Sequence, residues 1–360
     1  MQTENIKKGK RDNILISVFE QIKKKRTARK ENSRANQFSA YSRRELIKKF
    51  AIIPIIGIPF SGIIRKTRSS GKAEIEIKKE KINKLSADKN SEQQIPKGKI
   101  KHLEISRLIA GGNQVSGIVS SQDVLYLTDL IKNYYTEEKA IEYLGLCEAN
   151  GINTAILRCD EHILGILKEY WRRGGKIQWL AQTYPENEDI TNIKIAIDAG
   201  ASGAFVMGGV AEDLLSSNRL DCLAKDLEYI RSQGLISGTA AHKIEVPVEC
   251  IKNNIIPDFF MKTFHHLDYP MAQSSCGKIA SWEKNPEEVY EFFKTSQIPW
   301  IAYKVLAKGA IKPESAFKYI FEKGADFACV GMFDFQVAGN AITIRKIFNS
   351  GLHRERKWYS

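Results

Sequence analysis

Pro299-Trp300-Ile301-Ala302-Tyr303-Lys304-Val305-Leu306 is followed by Ala307-Lys308-Gly309-Ala310-Ile311-Lys312-Pro313-Glu314-Ser315-Ala316-Phe317, and the stretch ends in Lys323-Gly324-Ala325-Asp326-Phe327-Ala328-Cys329-Val330-Gly331. It reads as strand, helix, strand. The two outer runs are short, apolar and bounded by turn residues, as buried strands are. The middle run opens on a proline and closes on Lys323-Gly324, the signals of a helix start and stop. Two buried strands joined by a helical crossover lie parallel.

The same unit recurs outward from this stretch. Strand-like runs fall at Arg107–Gly111, Asn153–Leu157, Ile177–Gln182, Gly203–Met207, Leu235–Ala240, Asp258–Phe264, Pro299–Leu306 and Asp326–Gly331. Helices between them carry proper signals. Thr136 precedes Glu137-Glu138 and Asn150-Gly151 ends that run; Asp160 precedes Ile163, Leu164, Ile166 and Leu167; Asn285-Pro286-Glu287-Glu288 combines a cap, a first-turn proline and first-turn acids. Eight near-regular units predict a closed (β/α)8 TIM barrel over residues 101–360, in preference to an open doubly wound sheet.

The charge of +13 is not spread evenly. Residues 1–100 hold 26 Lys+Arg against 10 Asp+Glu, whereas residues 101–360 hold 29 against 32. The barrel is therefore slightly acidic, which argues against a nucleic-acid partner, since such a barrel would keep its own basic face. The basic part has internal order. Residues 1–41 read as a polar leader, expected to be mostly disordered. Residues 42–66 hold Ser42-Arg43-Arg44-Glu45-Leu46-Ile47-Lys48-Lys49, the uncharged run Phe50 to Ile64, and Arg65-Lys66. Residues 67–100 read as a linker. The paired arginines before a short apolar run resemble the twin-arginine export signal. That resemblance implies the twin-arginine translocase as a partner and the periplasm or cell envelope as destination. The run is 15 residues with two prolines, short for a span of about 20; an interfacial anchor is the alternative. The six cysteines are scattered with no C-x-x-C, so buried thiols are expected rather than a disulfide framework.

Barrel chemistry sits where the strands end. The polar residues there are Asn113, Arg158, Gln182, His242, Lys262, His265, His266, Asp268, Lys304 and Asp334. Lys262 and Lys304 lie inside apolar strands, and both are expected to point into the barrel, since a lysine facing the helix layer is costly. A desolvated lysine is a base or Schiff-base nucleophile, or else half of a structural ion pair. Lys262, Lys304, His242 and His266 are thus the catalytic candidates. His242, His265 and Asp268 are a candidate divalent-metal set, with a hydrogen-bonded polar mouth as the alternative.

Three resemblances add to this reading. Leu108-Ile109-Ala110-Gly111-Gly112-Asn113, Tyr134-Tyr135-Thr136-Glu137-Glu138-Lys139, Asp258 to His266 and Val330-Gly331-Met332-Phe333-Asp334-Phe335 resemble a family of exported bacterial barrel proteins without an established activity. Ser106-Arg107-Leu108, Gly151-Ile152-Asn153-Thr154-Ala155 and Leu164-Gly165 resemble the opening of the aldo/keto reductases, which implies NADP as cofactor. Their Asp, Tyr, Lys and His quartet is not repeated: strand 2 ends in Arg158-Cys159-Asp160, strand 3 in Gln182, and strand 4 has no histidine. Residues 307–331 resemble the unit of phosphate-binding barrels, which implies an anion on Gly309, Ala310, Gly331 and Met332 with Lys308 or Lys312 nearby and Asp334 opposing it. The reading that results is an enzyme acting on a small carbonyl or sugar-like metabolite by Lys/His acid–base chemistry. An aldo/keto-type oxidoreductase and a non-catalytic binding barrel of the envelope are the alternatives.

The signal reading has a direct consequence. Changing Arg43 and Arg44 together to lysine is expected to strand the protein in the cytoplasm; unchanged distribution between cytoplasm and envelope in cell fractionation overturns the signal.

Overall fold

Along each strand side chains alternate between two faces, and here the two faces meet two separate cores. The computed structural model describes residues 94–118, 125–186, 188–269 and 283–360. The leader, the twin-arginine-type segment, the linker up to residue 93 and Cys276 lie outside the described residues. The described chain begins with an antiparallel hairpin, β1 (Lys97–Ile100) and β2 (Leu103–Ser106). Then come β3 (Leu108–Gly111), α1 (Leu125–Tyr134), α2 (Glu137–Ala149), β4 (Thr154–Arg158), α3 (Glu161–Arg172), β5 (Gln178–Thr183) and α4 (Thr191–Asp198). The second half runs β6 (Gly203–Val206), α5 (Gly208–Ser216), α6 (Leu220–Ser232), β7 (Ile236–Ala241), α7 (Glu245–Lys252), β8 (Phe259–Thr263), α8 (Pro286–Thr295), β9 (Trp300–Tyr303), α9 (Pro313–Glu322), β10 (Phe327–Gly331) and α10 (Asp334–Asn349).

Strands β3 to β10 form a closed parallel barrel in the order β10-β3-β4-β5-β6-β7-β8-β9, so the eight-stranded expectation holds. Closure is the pairing of β10 with β3, from Ala328 on Leu108 to Gly331 on Gly111. The interior cluster takes at least one residue from every strand: Ile109, Ile156, Leu180, Phe205, Ile236, Phe259, Ile301 and Phe327, with Ala240, Met261 and Cys329 above them. The other parity, including Trp179, Phe260 and Trp300, packs on the outer helices; the rings of Trp300 and Phe293 stack at 4.2 Å.

The residues 97–100, read from sequence as the end of a linker, are instead a strand. Ile100 and Ile105 of the hairpin are fully buried in the interior cluster. The hairpin therefore stoppers the N-terminal end of the barrel, and Asn153 fastens it: its side chain accepts from the Ser106 N–H at 2.8 Å and donates to the Glu104 carbonyl at 2.9 Å. The alternation of small, charged and apolar residues in Lys97-Gly98-Lys99-Ile100 carried that signal, diluted by the lysines around it.

A second clasp involves Asp326, fully buried just before β10. Its carboxylate accepts from Arg356 at 2.7 Å and from the Trp300 and Tyr359 N–H groups at 2.9 and 3.0 Å. Arg107 donates to the Asp326 carbonyl at 2.9 Å. Arg356 further donates to the carbonyls of Phe293, Gly324 and Ile298. Burial pulls Arg107 down to about 10 and Arg354 down to about 9, with Asp326 acting the other way. A buried charge stripped of its partner costs about 3–5 kcal/mol. Asp326→Ala is therefore expected to lower the urea unfolding free energy by about that amount, whereas Glu104→Ala, breaking the half-exposed Lys97 pair, leaves it close to unchanged.

Candidate active site

The C-terminal ends of the strands surround a cavity of about 550 Å³. Ile156, Phe205, Ala240, Met261 and Cys329 form its apolar floor, and Arg158, Gln182, Tyr184, His242, Tyr303, Lys304 and Lys308 reach it from the rim. No aspartate or glutamate lines it among the described residues. Burial pushes the Cys329 thiol up to about 12, so it stays protonated.

Lys304 reaches this cavity by a break in strand geometry. Ile301 and Tyr303 belong to the interior parity, so simple alternation would send Lys304 to the helix layer. Its φ of +56° lies in the left-handed region and redirects it to the mouth, and Ala307, Lys308 and Gly309 follow at +43°, +61° and +90°. Such conformations cost non-glycine residues about 1 kcal/mol or more and concentrate at functional sites. No carboxylate pairs with Lys304 among the described residues. Burial pulls its amine down to about 8, the charge of Lys308 acting the same way and Glu212 opposing.

His242 extends the inward parity of β7 and stands over the ring of Tyr303 at 5.7 Å. Glu212 of α5 holds it: one carboxylate oxygen lies 3.3 Å from Nδ1 and accepts from the His242 and Lys243 N–H groups at 2.6 and 3.0 Å. Burial alone would raise the Glu212 carboxyl; these hydrogen bonds outweigh it and hold the group below the usual range. The Lys304 Nζ lies 5.9 Å from the centre of the same Tyr303 ring, so amine and imidazole share one neighbour. Sequence reasoning missed Glu212. Its signal is an acid one turn into the helix that starts directly at a strand end, in Gly208-Gly209-Val210-Ala211-Glu212.

Several expected site residues lie elsewhere. Lys262 shares with Phe260 and Phe264 the parity that packs on the helices, not the bore. It is 1% exposed and pairs with Glu283 at 2.5 Å while donating to the Thr263 carbonyl at 3.0 Å. Burial holds its amine below the ordinary value against Glu283, and the structural ion pair is the reading that holds. His265 has an edge on the cavity but both ring nitrogens are committed: Nε2 accepts from the Glu283 N–H at 3.0 Å and Nδ1 donates to the His266 carbonyl at 2.8 Å. His266 turns to α9, its Nε2 3.0 Å from Ser315 Oγ, and Asp268 is exposed. The set His242, His265 and Asp268 is not assembled, and no group of three or more potential ligands occurs among the described residues.

The phosphate elements come together only in part. Gly309, Gly331 and Met332 line the cavity and Ala310 does not. The N–H groups of Gly309 and Ala310, which an anion would need, are spent on the Leu306 and Ala307 carbonyls at 2.8 and 3.2 Å. Asp334, expected to oppose an anion, turns away to Lys139 and Tyr134, each at 2.5 Å. Anion attraction therefore falls to side chains. Arg158, at the end of β4, has Nε 3.2 Å from Asp160 and its guanidinium 4.4 Å from the Tyr184 ring centre.

No family model and no curated protein matches the chain. Among solved structures it is similar to a putative aldo-keto reductase from Pseudomonas aeruginosa (16% identity, TM-score 0.48, covering 73% of this chain and 98% of that one). It is also similar to an aldo/keto reductase from Brucella melitensis (11%, 0.46, 71% and 100%) and a glycerol dehydrogenase from Gluconobacter oxydans (10%, 0.46, 71% and 89%). The likeness is a remote one of barrel enzymes, and no site residue is carried over from them.

Lys304 leaves a thermodynamic trace. Its folded-state value of about 8 lies below the ordinary lysine value of 10.5, so the folded state holds fewer protons between those two values. Its destabilisation is fully present below pH 8 and fades as pH rises toward 10.5. Lys304→Met is therefore expected to stabilise the protein at pH 7 by on the order of 1–2 kcal/mol, after allowance for its partial exposure. The gain shrinks at pH 9.5, as thermal melts at the two pH values would show.

Proposed function

We propose that the chain is a barrel enzyme acting on a small carbonyl compound, with Lys304 as the amine nucleophile and His242, held by Glu212, as the proton carrier. The observation that supports this reading most is Lys304 itself: a left-handed, partly buried lysine at a strand end, free of a carboxylate partner among the described residues, with its amine pulled to about 8. Near neutral pH a sizeable fraction of such an amine is unprotonated and nucleophilic.

The chemistry balances without further reagents. The amine lone pair attacks the carbonyl carbon, and the C=O pair moves to oxygen, which takes a proton from solvent. The nitrogen loses a proton to the imidazole of His242. A second proton, returned by the imidazolium, lets the oxygen leave as water and an iminium forms between Lys304 and the substrate carbon. The iminium withdraws electrons from the adjacent carbon, and in this reading the same imidazole removes or returns a proton there. Glu212 fixes the orientation of the ring, as an orienting carboxylate does. The apolar floor favours loss of water by keeping the amine desolvated. As an exported protein, the enzyme would meet this substrate in the periplasm or envelope; that part rests on Ser42 to Lys49, outside the described residues.

Borohydride reduction in the presence of a panel of aldehydes and oxo acids tests the reading. A covalent adduct on Lys304, found by peptide mass spectrometry, is expected, and its rate should rise as pH passes through about 8. Glu212→Gln is expected to slow trapping by about 10–100-fold, with the protein still folded. Adducts only at exposed lysines, or unchanged trapping in Lys304→Met, overturns it.

A further inference from the structure

The rim of the cavity is chemically lopsided, and this identifies the substrate class more narrowly. Resting on the carbonyl reading, we infer that Arg158 is a specificity residue that binds an anionic group, a carboxylate or phosphate, set several bonds from the reacting carbonyl.

The side chain is built for this. Arg158 shares the inward parity of β4 with Ile156 of the barrel interior. Asp160 takes its Nε at 3.2 Å with one oxygen, while its other oxygen caps α3 by accepting from the Ile163 N–H at 3.0 Å. A carboxylate fixed by a helix cap thus fixes the guanidinium. Tyr184 supports the flat face at 4.4 Å, and Gln182 in turn hydrogen-bonds the Tyr184 hydroxyl. Arg158 lines the cavity, and with Nε held and one face covered its guanidinium is kept as a fixed planar fork, the geometry that binds carboxylate or phosphate with two parallel bonds. The surroundings agree, because Lys304 and Lys308 are the other charged side chains on the lining and no acid lies there among the described residues.

Position sets the spacing. β4 and β9 are separated by β10 and β3 around the ring. Strands three apart on an eight-stranded barrel stand about 14 Å from each other across the bore. Arg158 is held on its own side by Asp160 and Tyr184, and Lys304 stays within 5.9 Å of Tyr303 on the other. This spacing favours an anion set away from the carbonyl over a carboxylate bonded directly to it, as in a 2-oxo acid. An aldehyde or ketone carrying its anion two or more atoms away fits it, with its chain over the apolar floor of Phe205, Met261 and Cys329.

Four probes separate the possibilities: 4-oxobutanoate, glycolaldehyde phosphate, butanal and pyruvate, each trapped by borohydride on the full protein. 4-Oxobutanoate or glycolaldehyde phosphate is expected to label Lys304 at least about tenfold faster than butanal, and the faster of the two tells carboxylate from phosphate. In Arg158→Met that ratio falls to near one, and in Arg158→Lys, which keeps the charge without the fork, it is intermediate. Pyruvate as the fastest probe overturns the spacing, and a ratio unchanged in Arg158→Met overturns the role of Arg158. Should Lys304 trap nothing, the carbonyl reading fails by itself, and butanoate then tests the subsite alone. Thermal stabilisation by millimolar butanoate that survives Lys304→Met and is lost in Arg158→Met supports it; no stabilisation of the unaltered protein overturns it.

Discussion

Closing a parallel sheet on itself leaves each strand side chain two destinations, the bore or the helix layer, and both are dry. Everything else in the structure follows from that constraint. Interior side chains, at least one from every strand, fill the bore from Ile109 to Cys329, and the hairpin residues Ile100 and Ile105 seal its lower end. A charge along a strand must then be paired in place or pushed to a strand end. Lys262 takes the first course, neutralised by Glu283 in the helix layer. Asp326 also takes it, among Arg356 and backbone donors at the lower end. Arg158 and His242 take the second, one step past the last apolar inward residue of their strands.

Lys304 obeys neither course by default, and that makes it informative. Its parity assigns it to the helix layer, yet a left-handed backbone turns it to the mouth, within a run where Ala307, Lys308 and Gly309 are also left-handed. Two unfavourable features coincide there, a strained φ and a desolvated amine, each worth on the order of 1 kcal/mol or more. Strain of this kind persists only where the surrounding structure over-determines it. The surroundings here are rigid: β9 is paired on both sides, to β8 and β10, and the Trp300 N–H is held by Asp326. The buried clasp at one end of β9 thus supports the strained lysine at the other.

How much of this was legible beforehand depended on the range of the interaction. The eight strands were readable because burial on both faces makes each a short apolar run. Helix starts at Thr136 and Asp160 were readable because capping is local, and both side chains do cap. The hairpin was hidden because its burial is spent on a stopper contact made by two isoleucines among lysines. Lys262 was misassigned on the argument that a lysine avoids the helix layer. That argument fails once a distant acid is folded against it, and Glu283 lies 21 residues away. Lys304 was placed correctly in the cavity for the wrong reason, since alternation would have sent it outward. Glu212 carries only one local mark, its place one turn into a helix that starts at a strand end, and that mark does not name a partner; only the fold brings it to His242.

The same reasoning explains why the strand-end histidines divide so sharply in role. Neighbouring residues on an extended chain face opposite ways, so of His265 and His266 only one can approach the bore. His265 does, but it lies where the chain leaves β8 and the Glu283 N–H needs an acceptor. A buried N–H left without a partner costs about 1–3 kcal/mol, and the imidazole supplies that acceptor with Nε2 while giving its Nδ1 proton to the His266 carbonyl. Burial lowers its affinity for a second proton, so it stays a neutral structural bridge. His242 meets the opposite environment: its backbone N–H is already satisfied by Glu212, and the same carboxylate oxygen lies beside its ring. Backbone satisfaction, rather than proximity to the cavity, therefore separates the two: the His265 ring serves a backbone N–H, whereas the His242 ring faces Glu212.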